Sequence, residues 1–100
     1  DAFLRTPDPR YAFVEQLKSR LPRSASILAT ERLAPHFVEY AHIYPGDRAL
    51  HADYVIIDRS DTWDRSQLPR RASDYMRNPE YALYAEFGAL VVFERISAPR

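Results

Sequence analysis

The sequence predicts a small α/β domain. The expected form is a Rossmann-like sandwich of two or three layers, built on a mixed sheet with parallel early strands and a C-terminal antiparallel β-hairpin. Three observations predict it. Residues 26–30 and 54–57 are short, almost continuously apolar runs, as strands buried on both faces are. Apolar residues at helical spacing precede and follow these runs. Near the end, Gly88 divides two further strand-like runs, 81–87 and 90–93, as a hairpin tip does.

In chain order, residues 1–8 read as a lead-in. Asp8 then Pro9 is a helix start, with an Asp at the N-cap and a Pro at the first helical position, where its missing N–H costs nothing. Phe13, Val14, Leu17 and Leu21 form one apolar stripe, and Pro22 stops the helix. Residues 26–30 follow as a strand. Thr30 is placed to cap a short helix over 31–38, with Leu33, Phe37 and Val38 on its inner face and Pro35 limiting its length. His42-Ile43-Tyr44 reads as a second short strand closed by Pro45-Gly46.

Tyr54-Val55-Ile56-Ile57 is the most β-prone run and the expected central strand. Residues 59–67 hold two Asp, two Arg, two Ser and the single Trp without periodicity, and read as a loop. Leu68, Ala72, Tyr75 and Met76 then mark an amphipathic helix ended by Asn78-Pro79. Ala, Leu and Glu propensity would let residues 81–87 continue as helix. Gly88 and the apolar run behind it favour the hairpin, which should supply antiparallel edge strands.

One hundred residues with 46% apolar and 13% aromatic content suffice for one packed core and argue against disorder. Fourteen basic residues balance fourteen acidic ones, so no long-range field favours nucleic acid or an anionic membrane surface. All the basic residues but Lys18 are Arg, which reads as GC-rich codon usage or as a surface of anion-binding forks. The lack of Cys removes disulfides and thiolate metal sites. No run approaches the ~20 apolar residues of a membrane span. The chain opens on Asp1 rather than Met and stops at Arg100, so it is expected to be one domain of a larger protein.

No catalytic motif emerges. With glycine only at 46 and 88, a phosphate-cradling loop, a dinucleotide fingerprint and a nucleophile elbow are all ruled out, and no cofactor is expected. His36, His42 and His51 fall on three different elements, and no metal site is expected of them. His36 reads instead as a helix-terminal hydrogen-bonding residue. Asp58, Asp61 and Asp64 have spacing that suits a hard cation, but they lack the turn glycine and terminal Glu of a calcium loop. Arg59 and Arg65 sit among them, so a solvated salt-bridge loop is preferred.

Position in the fold gives the candidate ligand residues. Ligands in open parallel sheets bind beyond the carboxyl ends of the strands, where the connections diverge. Thr30 and Arg32 follow the first strand, and Asp58 and Arg59 follow the central one. The alternative is structural: Thr30 only caps, and Asp58 only pairs with Arg32 or Arg59. Trp63, a large aromatic in a polar loop, is the candidate partner contact, or else a lid folded onto the sheet.

The run 21–36, LPRSASILATERLAPH, followed by Ile43-Tyr44-Pro45 and Ala52-Asp53-Tyr54-Val55-Ile56-Ile57-Asp58, carries a resemblance. With Phe87-Gly88 and Glu94-Arg95, it resembles the C-terminal soluble region of a family of multi-pass bacterial and archaeal membrane proteins, domain of unknown function 2079. Glu31-Arg32 departs from the Asn often found there in that family. The family's membrane part is similar to polytopic glycosyltransferases that use lipid-linked sugars. The resemblance implies a non-catalytic accessory domain on the extracytoplasmic face, whose partners are the transmembrane portion of the parent and a glycan or lipid-linked sugar. The alternative is a free-standing small-ligand-binding or regulatory module.

Overall fold

The computed structural model describes residues 9–40, 42–45, 51–61 and 68–96. Five strands form one sheet: β1 (Ser26–Ala29), β2 (His42–Pro45), β3 (Tyr54–Asp58), β4 (Tyr81–Phe87) and β5 (Leu90–Arg95), in the order β2-β1-β3-β5-β4. β1 runs parallel to both β2 and β3, whereas β5 runs antiparallel to β3 and to β4. The helices are α1 (Pro9–Arg20) and α2 (Ala72–Arg77), with single 3-10 turns at Ala34–Phe37 and Leu68–Arg71.

Strand alternation divides the core in two. Ile27, Ala29, Ile56, Leu90 and Val92 point to one face, where Val14, Leu17 and Leu21 from α1 and its end, with Leu33, Phe37 and Tyr40, cover them. Leu28, Val55, Ile57, Val91 and Phe93 point to the other, beneath Leu68, Ala72 and Tyr75. The architecture is therefore a three-layer sandwich, with the parallel early strands and the C-terminal hairpin that the sequence predicts. β3 holds the middle of the sheet, and four of its five residues are buried.

α1 ends as its sequence dictates. The Leu21 N–H closes the last turn on the Leu17 carbonyl (2.9 Å), and Lys18 and Arg20 place positive charge at its C-terminal end. The Tyr40 hydroxyl reaches the Lys18 and Leu21 carbonyls, at 3.0 Å each, and so satisfies acceptors the helix leaves open. Lys18 and Arg23 both approach the Glu39 carboxylate. Their hydrogen bonds, Arg23 first and Lys18 second, push its pKa down to about 2.

Asp53 ties three strands together at one end of the sheet. Its Oδ2 accepts the Ser26 N–H (2.9 Å) and its N–H donates to the Ser26 hydroxyl (2.9 Å). Arg95 reaches its Oδ1 (3.0 Å) and donates its backbone N–H to the Asp53 carbonyl (2.8 Å). The hairpin turns on Gly88 and Ala89. Gly88 takes φ 57° and Ala89 keeps a negative φ. That is the sign pattern of a type II′ turn.

Four expectations are corrected. The segment after Thr30 is no α-helix: it forms turns and one 3-10 turn, and Val38 is exposed (68%). Pro35 supplies no N–H, and a 3-10 turn repeats every three residues, which swings Val38 off the face shared by Leu33 and Phe37. The helix from Leu68 starts as a 3-10 turn, so its phase shifts and Met76 faces solvent (60%). Only β4 of the hairpin is an edge strand, because β5 inserts between β3 and β4. The loop acids Asp58 and Asp61 are buried, not solvated. Asp8, Asp64 and Gly46 lie outside the described residues.

Phe93 is wholly buried between β3, β4 and Tyr75, whereas Phe87 stacks on Phe13 at the rim and stays 41% exposed. Phe93→Ala is expected to cost about 3–5 kcal/mol in urea unfolding, and Phe87→Ala about 1 kcal/mol. A second expectation concerns alkali. Burial, then the hydrogen bond to Glu94, pushes Tyr54 up to about 12, and burial pushes Tyr81 up to about 12. An unfolded phenol titrates near ~10, so the native state holds these protons more tightly. The stability they contribute is intact below pH ~10 and declines as pH rises towards about 12. Ultraviolet absorbance of the tyrosinate band should show late-titrating tyrosines, with unfolding setting in over that interval.

Candidate functional site

The connections leaving β1 and β3 diverge. From β1 the chain turns onto the α1 face through Leu33 and Phe37, whereas from β3 it reaches the opposite face at Leu68. At that divergence, beyond the carboxyl ends of the two parallel strands, a crevice of about 300 Å³ opens. Arg10 and Tyr11 of α1, Arg32, His36 and Asp58 line it, with Val14, Leu33 and Leu90 as its apolar wall.

Thr30 lies beneath the crevice, fully buried. Its N–H donates to the Ile56 carbonyl (3.1 Å), and its own carbonyl accepts the N–H groups of Leu33 (2.9 Å) and Ala34 (3.0 Å). Its hydroxyl accepts the Asp58 N–H (3.3 Å). Thr30 therefore fastens β1 to β3 and starts the turn towards residue 34, committed to the fold and shielded from any ligand. It is structural, but not as the helix cap expected of it: its hydroxyl ties β1 to β3 and caps no helix.

Asp58 is 9% exposed and lines the crevice. Its Oδ1 accepts both the N–H (2.9 Å) and the hydroxyl (2.6 Å) of Ser60, an Asx-type turn. The same turn presents the Asp61 N–H to the Asp58 carbonyl (3.2 Å). Among the described residues, no hydrogen bond reaches Oδ2. Asp58 pairs with neither Arg32 nor Arg59. Arg32 instead approaches Asp61, with Nε 3.9 Å from Oδ1 of a side chain that has no exposed surface. That separation exceeds a hydrogen bond, so the Arg32 donors are not used up by it.

Arg59 leaves the group. Its side chain donates to the Gly88 carbonyl (2.9 Å) and the Ala89 carbonyl (3.3 Å), and its N–H adds a bond to Ala89 (3.0 Å). It grips the hairpin turn. The structure thus brings Arg32 and Asp58 to one crevice, sets Thr30 below it, and sends Arg59 elsewhere. Trp63 lies outside the described residues.

Arg10, Tyr11 and His36 join the site without any signal that sequence spacing carries. The packing of α1 brings the first two to the crevice. His36 meets the Tyr11 ring edge-on (centroids 6.3 Å apart) in place of the helix-terminal hydrogen bond expected of it. His51 reaches Glu80 through Nδ1 (2.8 Å), while Asp53, two residues on, turns to Ser26 and Arg95, so these two side chains do not converge. Among the described residues, no group of three or more His or acidic side chains is placed to hold a metal ion, and no helix is long and apolar enough to cross a membrane.

No protein-family model, curated protein or solved structure matches the chain.

Thr30→Val keeps the shape of the side chain and removes the hydroxyl, leaving the buried Asp58 N–H without its acceptor. It is expected to destabilise the domain by about 1–3 kcal/mol in urea unfolding.

Proposed function

We propose that this chain is a non-catalytic binding domain that seats a small polar ligand in the crevice between the diverging ends of β1 and β3. The observation that carries the reading is Asp58, a nine-tenths-buried carboxylate at the crevice with one oxygen fixed by Ser60 and the other without a donor among the described residues. That second oxygen is open to the crevice, where a ligand N–H or O–H can donate to it. The volume of about 300 Å³ lies at the lower bound for small-molecule sites. A binding role suits the site better than catalysis: the Thr30 hydroxyl is already an acceptor within the fold, and His36 meets a ring rather than a nucleophile.

The sequence resemblance supplies the proposed setting. On that resemblance the domain would follow the last span of a membrane protein similar to lipid-linked-sugar glycosyltransferases, on the extracytoplasmic face. The transmembrane portion would be its docking partner and a glycan or lipid-linked sugar would lie nearby. Hydropathy of the parent reading frame upstream of Asp1 bears directly on this setting, since a frame without membrane spans removes it.

Amide NMR spectra recorded with a panel of sugar phosphates, nucleotides, amino acids and neutral sugars test the binding role. Shifts clustered on residues 30–36 and 58–61, and lost in Arg32→Ala, are the expected result. A panel that leaves those residues unmoved at millimolar concentration ends the proposal.

A further inference from the structure

The chemistry around the crevice narrows what it takes, on the premise that it is a ligand site. The acceptor is Asp58, whose carboxylate carries the unmatched oxygen at a group 9% exposed. The donors surround it. Arg32 has 65% of its side chain exposed, and its ion pair with Asp61 runs through Nε at 3.9 Å. Among the described residues, both terminal nitrogens of the guanidinium are thus left for a bidentate partner. The Tyr11 hydroxyl and the His36 ring add polar edges on the same wall, and no hydrogen bond within the described residues engages either side chain. Arg10 and Tyr11 belong to the first turn of a twelve-residue helix, whose positive dipole end therefore borders the opening.

Such a site has a positive rim and an acceptor beside it, and each half selects a different group. A fork of guanidinium donors next to a helix start favours a planar or tetrahedral oxyanion. The Asp58 oxygen needs a hydroxyl or an ammonium group. The ammonium is disfavoured, because Arg10 and Arg32 line the same space with like charge, and the adjoining carboxylate of Asp61 already faces Arg32. Hydroxyl donors carry no such penalty. Tyr11 provides a flat ring of the kind on which a sugar face rests.

We infer that the crevice recognises an anionic polyol: a small hydroxylated molecule whose phosphate or carboxylate lies on Arg32 and whose hydroxyl donates to the free oxygen of Asp58. The two halves bind cooperatively because one molecule spans both.

Titration of the 100-residue chain with four probes, followed by amide and Arg Nε–H NMR, reads each half separately. Ribose 5-phosphate should shift both Arg32 and the 58–61 amides. Inorganic phosphate should move Arg32 alone, and ribose alone should bind more weakly than ribose 5-phosphate. Serine carries the ammonium alternative. Arg32→Ala should weaken ribose 5-phosphate by about tenfold or more, and raising salt should act in the same direction. Asp58→Asn should weaken ribose 5-phosphate by a similar factor of about ten, whereas inorganic phosphate, which loses a like charge beside it, should bind no more weakly. Arg32 is exposed, so its variant keeps the test informative if Asp58→Asn fails to fold.

Glucuronate in place of ribose 5-phosphate separates a carboxylate-bearing from a phosphate-bearing ligand, and either one upholds the class. Binding of serine or neutral ribose with ribose 5-phosphate and glucuronate silent overturns the class and leaves the crevice a ligand site. Silence from every probe at residues 30–36 and 58–61 overturns both. Equal loss of phosphate and ribose 5-phosphate in Asp58→Asn shows Asp58 to be structural, which also overturns the inference.

Discussion

The parallel contact between β1 and β3 is held at both ends by side chains reaching across it. At the amino ends Asp53 and Ser26 exchange two hydrogen bonds, and at the carboxyl ends the Thr30 hydroxyl takes the Asp58 N–H. Between these ties lie only three ladder partners, Ile27 with Tyr54, Leu28 with Val55 and Ala29 with Ile56. So short a ladder specifies its register weakly by itself. A slip of one residue would carry Leu28 to the α1 face and Ile27 and Ala29 to the other. The two polar ties remove that freedom, and they sit at the positions where a slip would leave buried N–H groups unmatched.

Fixing that register levels the ends of the two strands, and the crevice follows from it. The chain leaves β1 through Leu33 and Phe37 towards α1, and reaches Leu68 on the other face after β3. The space between the departing connections is then bounded by whatever packs nearest, which is the first turn of α1. β5 completes the wall with Leu90, opposite Asp58 in the antiparallel ladder. Arg59 contributes indirectly: by gripping the carbonyls of Gly88 and Ala89 it anchors the turn that delivers Leu90 to that place.

The sheet and its directions were legible because they depend on local composition. Continuous apolar runs mark strands covered on both faces, and β1, β3 and β5 all have them, with four buried residues in β5 and four in β3. Gly88 named the turn because only a residue without Cβ takes φ 57° freely. Helical phase was less legible in the short segments. Over twelve residues of α1 the period is established, and Val14 and Leu17 are buried as their spacing predicts. In the 3-10 turns the period is three, and Val38 and Met76, which come after them, fall off the faces that 3.6-residue spacing assigns them. The order of β5 and β4 was hidden for a different reason. Either hairpin strand could pair with β3, and the choice went to the more apolar one, leaving β4, with Leu83, Tyr84, Glu86 and Phe87 exposed, on the rim.

The site divides along the same line. Residues adjacent in sequence to a strand end were legible by position, and Arg32 and Asp58 meet at one crevice on that ground. What position does not convey is how each residue's hydrogen-bonding capacity is already committed. Thr30 and Arg59 are bonded within the fold, and Asp58 has given one oxygen to Ser60. Arg32 differs, because its partner Asp61 is buried and close enough to restrain the guanidinium without a hydrogen bond to it. A long side chain loses rotamer freedom when it binds, and a nearby buried carboxylate would take part of that loss in advance. Asp61 therefore lowers the cost of engaging Arg32 while drawing charge from it. The same pairing that reduces the net positive field at the crevice engages Nε alone, and so turns the terminal nitrogens of the fork to other partners.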